Sequence, residues 1–403
     1  MTEHTNTPAL RFPEFRDEWN QNKLSDVVNV YDGTHQTPKY TNEGIKFLSV
    51  ENIKTLNSNK YISKEDFIKE FKIHPEYGDI LMTRIGDIGT PNIVNLKEPL
   101  AYYVSLALLK PININSYFLN SLILSPTVQN ELWRKTLHIA FPKKINKNEI
   151  AKVLINYPTF NEQEKIGYFF SKLDHQIELE EKKLELLEQQ KRGYMQKIFT
   201  QKLRFKDKNG NAYTNWRTIE LKNILEKIVD NRGKTPDNSS SEKYPLLEVN
   251  ALGYYHPSYK KVSKFVSEST YNNWFREHLK ENDILFSTVG NTGIVSLMDG
   301  YKAVIAQNIV GLRVNSNNLP AFVYYMLSYW ENQKKIKRIQ MGAVQPSVKV
   351  SQFKFIKYLV PIKDEQEKIA NLLSEIDKII DIQIEKIELL KQRKQGLLQK
   401  MFV

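Results

Sequence analysis

The chain of 403 residues is 41% hydrophobic and 26% charged, a composition that is ordinary for a globular protein of about two to four domains. It has no cysteine, which excludes disulfides, thiolate catalysis and cysteine-ligated zinc. It has neither a signal peptide nor an apolar run of about 20 residues for a membrane span, and these features together predict a cytoplasmic protein. The formal net charge of +12 favours a polyanionic partner, nucleic acid first, although simple solubility is an alternative explanation.

Residues 1–157 alternate short apolar runs with Gly, Pro and Asn, which is typical of short strands and loops with a few helices. The landmarks are a turn-rich loop at 32–39, an apolar strand at 47–50, a Gly-Asp-Ile-Leu strand at 78–81 and a glycine-bearing turn at 86–89. These features predict a first compact mixed α/β module.

Residues 158–203 have a different pattern. Glu-Gln-Glu-Lys-Ile occurs at 162–166, and a helical pattern continues from it to Phe199. The apolar residues alternate steps of four and three, which places them on one narrow seam, as in a coiled coil. The seam residues are Ile166, Phe170, Leu173, Ile177, Leu184 and Leu187.

The same order then repeats, with a second module predicted at 204–357 and a second helix at 358–403 that starts with Glu-Gln-Glu-Lys-Ile at 365–369. Roughly half of the paired helix positions are identical at a fixed offset, whereas the modules match only in scattered places. The second seam comprises Ile369, Leu373, Ile376, Ile380, Ile387 and Leu390.

Each seam needs a partner, and the nearest equivalent seam is the other helix of the same chain. Chain order makes such a pair antiparallel; homodimerisation through each helix is the alternative. Two positions of each seam are polar, Glu180 and Lys191 in the first and Gln383 and Lys394 in the second, and polar seam residues restrict register and partner.

The sequence lacks the phosphate loop, the dinucleotide fingerprint, the nucleophile elbow, the His-Glu-x-x-His pair and the amino-methyltransferase tetrapeptide. Its seven histidines are scattered singly, so we expect no catalytic residue, metal site or cofactor in this chain. The two glycine turns, at 86–89 and 290–293, fit either a tight strand connection, which we favour, or a backbone cradle for phosphate.

A duplicated frame around two divergent modules, with basic charge and no catalytic motif, resembles the DNA specificity subunit of type I restriction-modification systems. The resemblance covers essentially the whole chain and depends most on the two Glu-Gln-Glu-Lys-Ile helix starts and their seams. The segment Gly-Ala-Val-Gln-Pro-Ser at 342–347 looks like the family's lead-in to each helix region, whereas its counterpart at 138–144 lacks the glycine and the glutamine.

The resemblance implies an α+β fold: two mixed α/β target recognition domains held apart by two long antiparallel coiled-coil helices, with a pseudo-twofold internal repeat. Each domain is expected to read one half of a split, asymmetric double-stranded DNA target. The implied partners are two modification subunits, which methylate adenine with S-adenosylmethionine, and two restriction subunits where DNA is also cut, which use ATP and Mg²⁺. The chain itself is expected to carry no chemistry and to contact no membrane.

Candidate DNA contacts are loop residues that suit phosphate oxygens or base edges. They are His35, Gln36, Lys39, Tyr40, Arg84, Lys143 and Lys144 in the first module, and Arg232, Lys234, Thr288, Asn291, Gln345, Ser347 and Lys349 in the second. A helix of about 38 residues would be about 57 Å long, which suggests a ruler that spaces two half-sites. The main alternative function is a coiled-coil scaffold that binds proteins without DNA specificity; a stand-alone nuclease is the least favoured.

Overall fold

The computed structural model describes residues 6–231 and 233–403. The chain divides into two compact units: unit 1 comprises the residues up to Lys182 together with Glu385–Val403, and unit 2 comprises Lys183–Ile384. Each unit therefore combines one module with part of both long helices. Within the described residues, no helix is both long and apolar enough to cross a membrane.

The strands of unit 1 are β1 (Asn20–Lys23), β2 (Val28–Asp32), β3 (Ile45–Leu48), β4 (Tyr61–Ile62), β5 (Ile80–Ile85), β6 (Asp87–Ile93), β7 (Leu100–Tyr102), β8 (Leu106–Pro111) and β9 (Leu154–Tyr157). They form an antiparallel ribbon β1-β9, an antiparallel sheet β2-β8-β5-β6, and a small sheet β4-β3-β7 in which β3 and β7 are parallel. Strand β5 begins with three apolar residues and is buried over most of its length.

The helices that begin in unit 1 are α1 (Lys64–Glu70), α2 (Ser116–Ile123), α3 (Pro126–Arg134), α4 (Lys147–Ala151) and the long α5 (Phe160–Phe199), which continues into unit 2. Side chains that cap free backbone amides define three of these starts. Ser63 accepts from the amide of Asp66, and Asn115 and Ser125 cap α2 and α3 in the same way.

The strands of unit 2 are β10 (Arg217–Glu220), β11 (Leu225–Val229), β12 (Tyr244–Leu247), β13 (Phe265–Val266), β14 (Ile284–Ser287), β15 (Val295–Leu297), β16 (Val304–Ile305), β17 (Ile309–Val314) and β18 (Lys357–Val360). The helices are α6 (Glu268–Trp274), α7 (Pro320–Ser328), α8 (Trp330–Lys337), α9 (Val350–Phe353) and α10 (Lys363–Met401), which continues into unit 1. The sheets β10-β18, β11-β17-β14-β15 and β13-β12-β16 repeat the plan of unit 1, which confirms the predicted internal repeat of mixed α/β modules.

The end of each long helix packs into the core of a module. In unit 1, Phe402 lies 5.6 Å from both Phe118 and Phe170, measured between ring centroids. In unit 2, Phe199 stacks on Tyr329 at 5.0 Å and lies 6.1 Å from Trp216. Each helix is therefore buried at both of its ends, one end in each unit.

The repeated Glu-Gln pair at each helix start is buried and bonds the long helix to its module. We call each set of these contacts a latch; the sequence did not reveal this role. Glu162 accepts two hydrogen bonds of 2.7 Å from Arg11, and Glu365 accepts bonds of 2.7 and 2.8 Å from Arg204. The two carboxylates are 1% and 0% exposed, and these bonds raise the pKa of each arginine. Bidentate arginine–carboxylate pairs of this kind fix orientation as well as charge.

The neighbouring glutamines complete the latch. Gln163 accepts from the amide of Asn115 and donates to the carbonyl of Pro158, both at 2.9 Å. Gln366 makes the equivalent bonds to Leu319, at 2.8 Å, and to Pro361, at 3.0 Å. Each glutamine satisfies the backbone amide just before a module helix (α2 or α7) and the carbonyl of the proline that precedes the long helix. These bonds attach each long helix to its module.

The two long helices run antiparallel within each unit, which confirms that prediction and places the pairing inside one chain. In unit 1 Asp174 pairs with Lys394, and in unit 2 the equivalent Asp377 pairs with Lys191, both at 2.5 Å. The two seam lysines thus have aspartate partners that define the register. The predicted seam residues are buried, except Leu184, Leu187 and Leu390, which are half-buried.

Candidate nucleic-acid interface

In each unit, the glycine turn that follows a central strand supports a neighbouring loop through backbone hydrogen bonds. We define tip loop 1 as residues 137–144 and tip loop 2 as residues 341–347. At tip loop 1, the amide of Gly86 donates to the carbonyl of Lys143 at 2.8 Å, and the amide of Ile145 donates to the carbonyl of Arg84 at 3.0 Å. The amide of Leu137 closes the loop on the carbonyl of Lys144 at 2.8 Å.

Tip loop 2 repeats these bonds with a different sequence. The amide of Gly290 donates to the carbonyl of Pro346, and the amide of Val348 donates to that of Thr288, both at 2.8 Å. Met341 and Ser347 exchange two backbone bonds, of 2.8 and 2.9 Å, across the base of the loop. Both tip loops are therefore fixed at their bases.

These bonds bear on the two interpretations of the glycine turns. Gly86 and Gly290 have φ angles of 80° and 77°, in the left-handed region that favours glycine. Their amides donate to the tip loops and so cannot also hold a phosphate. The tight-connection interpretation accounts for both residues.

Arg84 is 4% exposed, so its guanidinium does not reach the surface as a DNA contact, contrary to the sequence-based expectation. Its side chain forms an ion pair with Asp32 and donates through Nε to the carbonyl of Ile145 at 3.0 Å. Because Asp32 precedes the 33–40 loop and Ile145 follows tip loop 1, Arg84 joins the bases of these two loops.

Thr288, another candidate DNA contact, is also buried, so its side chain does not lie on the surface as the sequence analysis expected. Its amide donates to the carbonyl of Asn308, and its own carbonyl accepts from Val348, both at 2.8 Å. Thr288 therefore supports tip loop 2 through its backbone. Arg232, another candidate, lies outside the described residues.

The remaining candidates have accessible side chains. The exposed ones are His35, Gln36, Lys39, Tyr40, Lys143, Lys144, Lys234, Asn291, Gln345 and Lys349, and Ser347 is half-buried. Some of them cluster around the glycine turns. In unit 1, His35 Nε2 lies 3.9 Å from the Asp32 carboxylate that Arg84 also contacts, close to the base of tip loop 1.

Other candidates have contacts of their own. The ring of Tyr40 contacts Phe47 of the smaller sheet at 5.8 Å, which places Lys39 and Tyr40 at the far end of the 33–40 loop. In unit 2, the carbonyl of Lys234 accepts from the buried side chain of Asn231 at 2.9 Å.

Sequence reasoning missed the apolar residues of the tip loops. Ile139 and Phe141 in tip loop 1 and Val344 in tip loop 2 are almost fully exposed. Beside tip loop 1, Trp133 packs on His138 with ring centroids 4.4 Å apart, and Lys143 Nζ lies 4.5 Å from the Trp133 ring centroid. The sequence signal that could have found these exposed tips was an apolar residue flanked by turn-forming or basic residues.

Within residues 6–231 and 233–403, no group of three or more His, Asp or Glu side chains is arranged to hold a metal ion. The surface around the tip loops offers cations and amides, which are groups that bind and position a polyanion, and it also exposes the apolar tips.

Comparison with known proteins identifies the family. The profile described as "Type I restriction modification DNA specificity domain" matches residues 16–189 and 213–392, one copy in each half of the chain. The chain belongs to this family.

Two relatives of similar length are both named as specificity subunits of type I restriction enzymes. The chain is 27% identical over 410 residues to the provisionally named type I restriction enzyme MjaX specificity subunit of Methanocaldococcus jannaschii, covering 96% of this chain and 93% of that protein. It is 22% identical to the type I restriction enzyme MjaVIII specificity subunit of the same organism, with coverage of 97% and 92%.

A solved structure shares the fold. The S subunit of a type I restriction-modification system from M. genitalium aligns with a TM-score of 0.63 at 15% identity, over 98% of this chain and 99% of that one. The paired-helix, two-module architecture is therefore that of a known structure.

Proposed function

We propose that the chain is the DNA specificity subunit of a type I restriction-modification complex and reads an asymmetric target in two parts. The observation that carries this proposal is the pair of tip loops, fixed by the same backbone bonds in both units but different in sequence. Equivalent supports with unlike tips suit two readers of unlike half-sites. A protein-binding scaffold accounts for the long helices but not for these loops.

Affinity in this proposal comes from phosphate contacts and selectivity from base edges. Lys143 and Lys144 are exposed at the end of tip loop 1, and Lys349 is exposed just after tip loop 2. Gln345 and Asn291 present amides that match the edge of adenine in the major groove. Because unit 1 lacks counterparts of these two amides on its tip loop and glycine turn, the two half-sites should differ.

Docking of partner subunits is proposed on the long helices. Unit 1 exposes Leu179 and Leu389, and unit 2 exposes Ile382 and Leu186, their equivalents in the repeat. Exposed apolar patches mark protein–protein contact sites, and the recurrence of these side chains at equivalent places of the repeat supports such a patch in each unit. Two equivalent patches favour two copies of the modification subunit per chain.

The chemistry is assigned to those partners. Modification subunits would methylate adenine with S-adenosylmethionine, and restriction subunits would use ATP and Mg²⁺. This chain would contribute recognition and docking only.

The test is to map methylated adenines in a host with and without this chain, expressed with its modification partner. The expected result is a motif of two different short half-sites separated by unread base pairs. A contiguous or palindromic motif would refute the proposal. Serine at both Leu179 and Leu389 should lower the partner stoichiometry from two to one, measured as the mass of the purified complex.

A further inference from the structure

The apolar tips of the two tip loops have no role in the contacts described so far. Phe141, Ile139 and Val344 are fully exposed, so these side chains are as open to water as in an extended peptide. Isolated exposed apolar residues are common on protein surfaces. What distinguishes these is that the equivalent loop carries such a tip in both units.

The loops hold their tips in place rather than burying them. Tip loop 1 is closed by the bond between Leu137 and Lys144 and attached to Gly86 through Lys143. The Trp133 ring packs on His138 at one side of the same loop. A loop supported in this way places its tip before a partner arrives, which lowers the entropic cost of binding.

The surroundings of the tip indicate which partner it meets. Lys143 and Lys144 are exposed directly after Phe141 and Pro142. A duplex presents phosphates on its outside and stacked apolar base faces within. Apolar side chains of Phe, Leu, Ile, Met or Pro are the ones that enter base steps in DNA-bending proteins.

We propose that Phe141 acts as a wedge that enters a base step of the DNA half-site bound by unit 1 and partly unstacks it, with Lys143 and Lys144 on the flanking phosphates. This inference rests on the proposed function. Val344 is smaller and is not one of these wedge side chains, so tip loop 2 touches its half-site without opening a step. The two half-sites are then distorted unequally.

The experiment uses the chain in complex with its modification subunits and the mapped target duplex. 2-Aminopurine, whose fluorescence rises when it is unstacked, replaces adenines in both half-sites one at a time, except the methylated adenine. Anisotropy of labelled duplexes measures affinity for the target and for a scrambled sequence in parallel. The variants are Phe141→Ala, Val344→Ala and the control Ile68→Ala, an exposed apolar side chain on α1.

The wild-type complex and the Ile68→Ala and Val344→Ala variants should show a fluorescence rise at a position in one half-site. Phe141→Ala should abolish that rise and weaken target binding about tenfold, the scale of losing one aromatic–base contact. Its melting temperature should stay unchanged because Phe141 is fully exposed.

Two outcomes would overturn the wedge while leaving the proposed function intact: specific binding without any fluorescence rise, or a rise that persists in Phe141→Ala. Loss of partner assembly in Phe141→Ala, with DNA binding unchanged, would assign the tip to a protein contact instead. A wild-type complex that does not distinguish the target from the scrambled duplex would refute the proposed function itself.

Discussion

Replacing Arg204 with Met should open the start of α10, because the substitution leaves the Glu365 carboxylate buried without its bidentate partner. Removing one member of a buried ion pair costs about 3–5 kcal/mol, whereas an exposed pair contributes about 0–1 kcal/mol. Glu365 is fully buried, so the larger range applies. The indole of Trp216 still donates to Glu365 at 3.1 Å, which favours the lower end, about 3 kcal/mol.

Hydrogen exchange followed by mass spectrometry measures this loss locally. A loss of about 3 kcal/mol accelerates exchange roughly a hundredfold, since about 1.4 kcal/mol corresponds to a factor of ten. The acceleration should be confined to peptides that cover 365–373. Peptides that cover 162–170, which contain the equivalent latch of unit 1, serve as the internal reference.

Two further variants separate a buried latch from a surface pair. Lys182→Met removes the partner of Glu178, an exposed pair one helical turn apart, and should accelerate exchange less than fivefold. Arg204→Met combined with Glu365→Gln should recover part of the loss, because the buried charge is gone. An acceleration below fivefold in Arg204→Met would show that the repeated motif does not act as a latch.

Three other predictions concern DNA, spacing and acid stability. Gln at both Lys143 and Lys144 should reduce the slope of log affinity against log salt by about 1.8, because each phosphate contact contributes about 0.9. Seven residues added after Lys182 and after Ile384, one heptad in each helix, should widen the unread gap in the methylation map by about three base pairs, since they rise about 10 Å. Hydrogen bonds from Lys227 and Arg313 lower the pKa of Glu277 from 4.5 to about 2. The stability that this carboxylate contributes is present above pH 4.5 and should be lost as the pH falls from 4.5 to about 2. Glu277→Gln should remove that part of the acid dependence, measured by circular dichroism.

Each of these has a result that would contradict it. For the lysines it is an unchanged salt slope, with the exposed Lys69→Gln as control. For the heptads it is an unchanged gap; extension of both helices is needed because Asp174–Lys394 and Lys191–Asp377 fix their register. For the carboxylate, it is the same acid profile in Glu277→Gln and the wild-type chain.

The two long helices could be predicted from the sequence because the pattern that specifies each of them lies within one continuous segment of the chain. A 4-3 apolar period defines a seam within one helix, and the structure extends those helices over Phe160–Phe199 and Lys363–Met401. The boundaries drawn at 157/158, 203/204 and 357/358 stay a prediction.

The site was less predictable because burial of a polar residue depends on distant partners. Arg84 stands beside a glycine turn and has the composition of a DNA contact, yet it is held by Asp32, 52 residues earlier in the chain. The opposite holds for Phe141 and Val344. Apolar residues ordinarily predict a core position, and only the backbone bonds at the loop base show that these two side chains are held in solvent.

The type of contact explains why the helix starts look alike in sequence while the modules do not. The latch is made by side chains, so it requires Glu and Gln at both helix starts and Arg ahead of each module. The tip loops are held through backbone amides and carbonyls, which any residue except proline supplies in full. Side chains at the tips can therefore change without disturbing their support. A chain in which residues 138–143 are exchanged for those of a relative should keep its stability and change only the half-site that unit 1 reads.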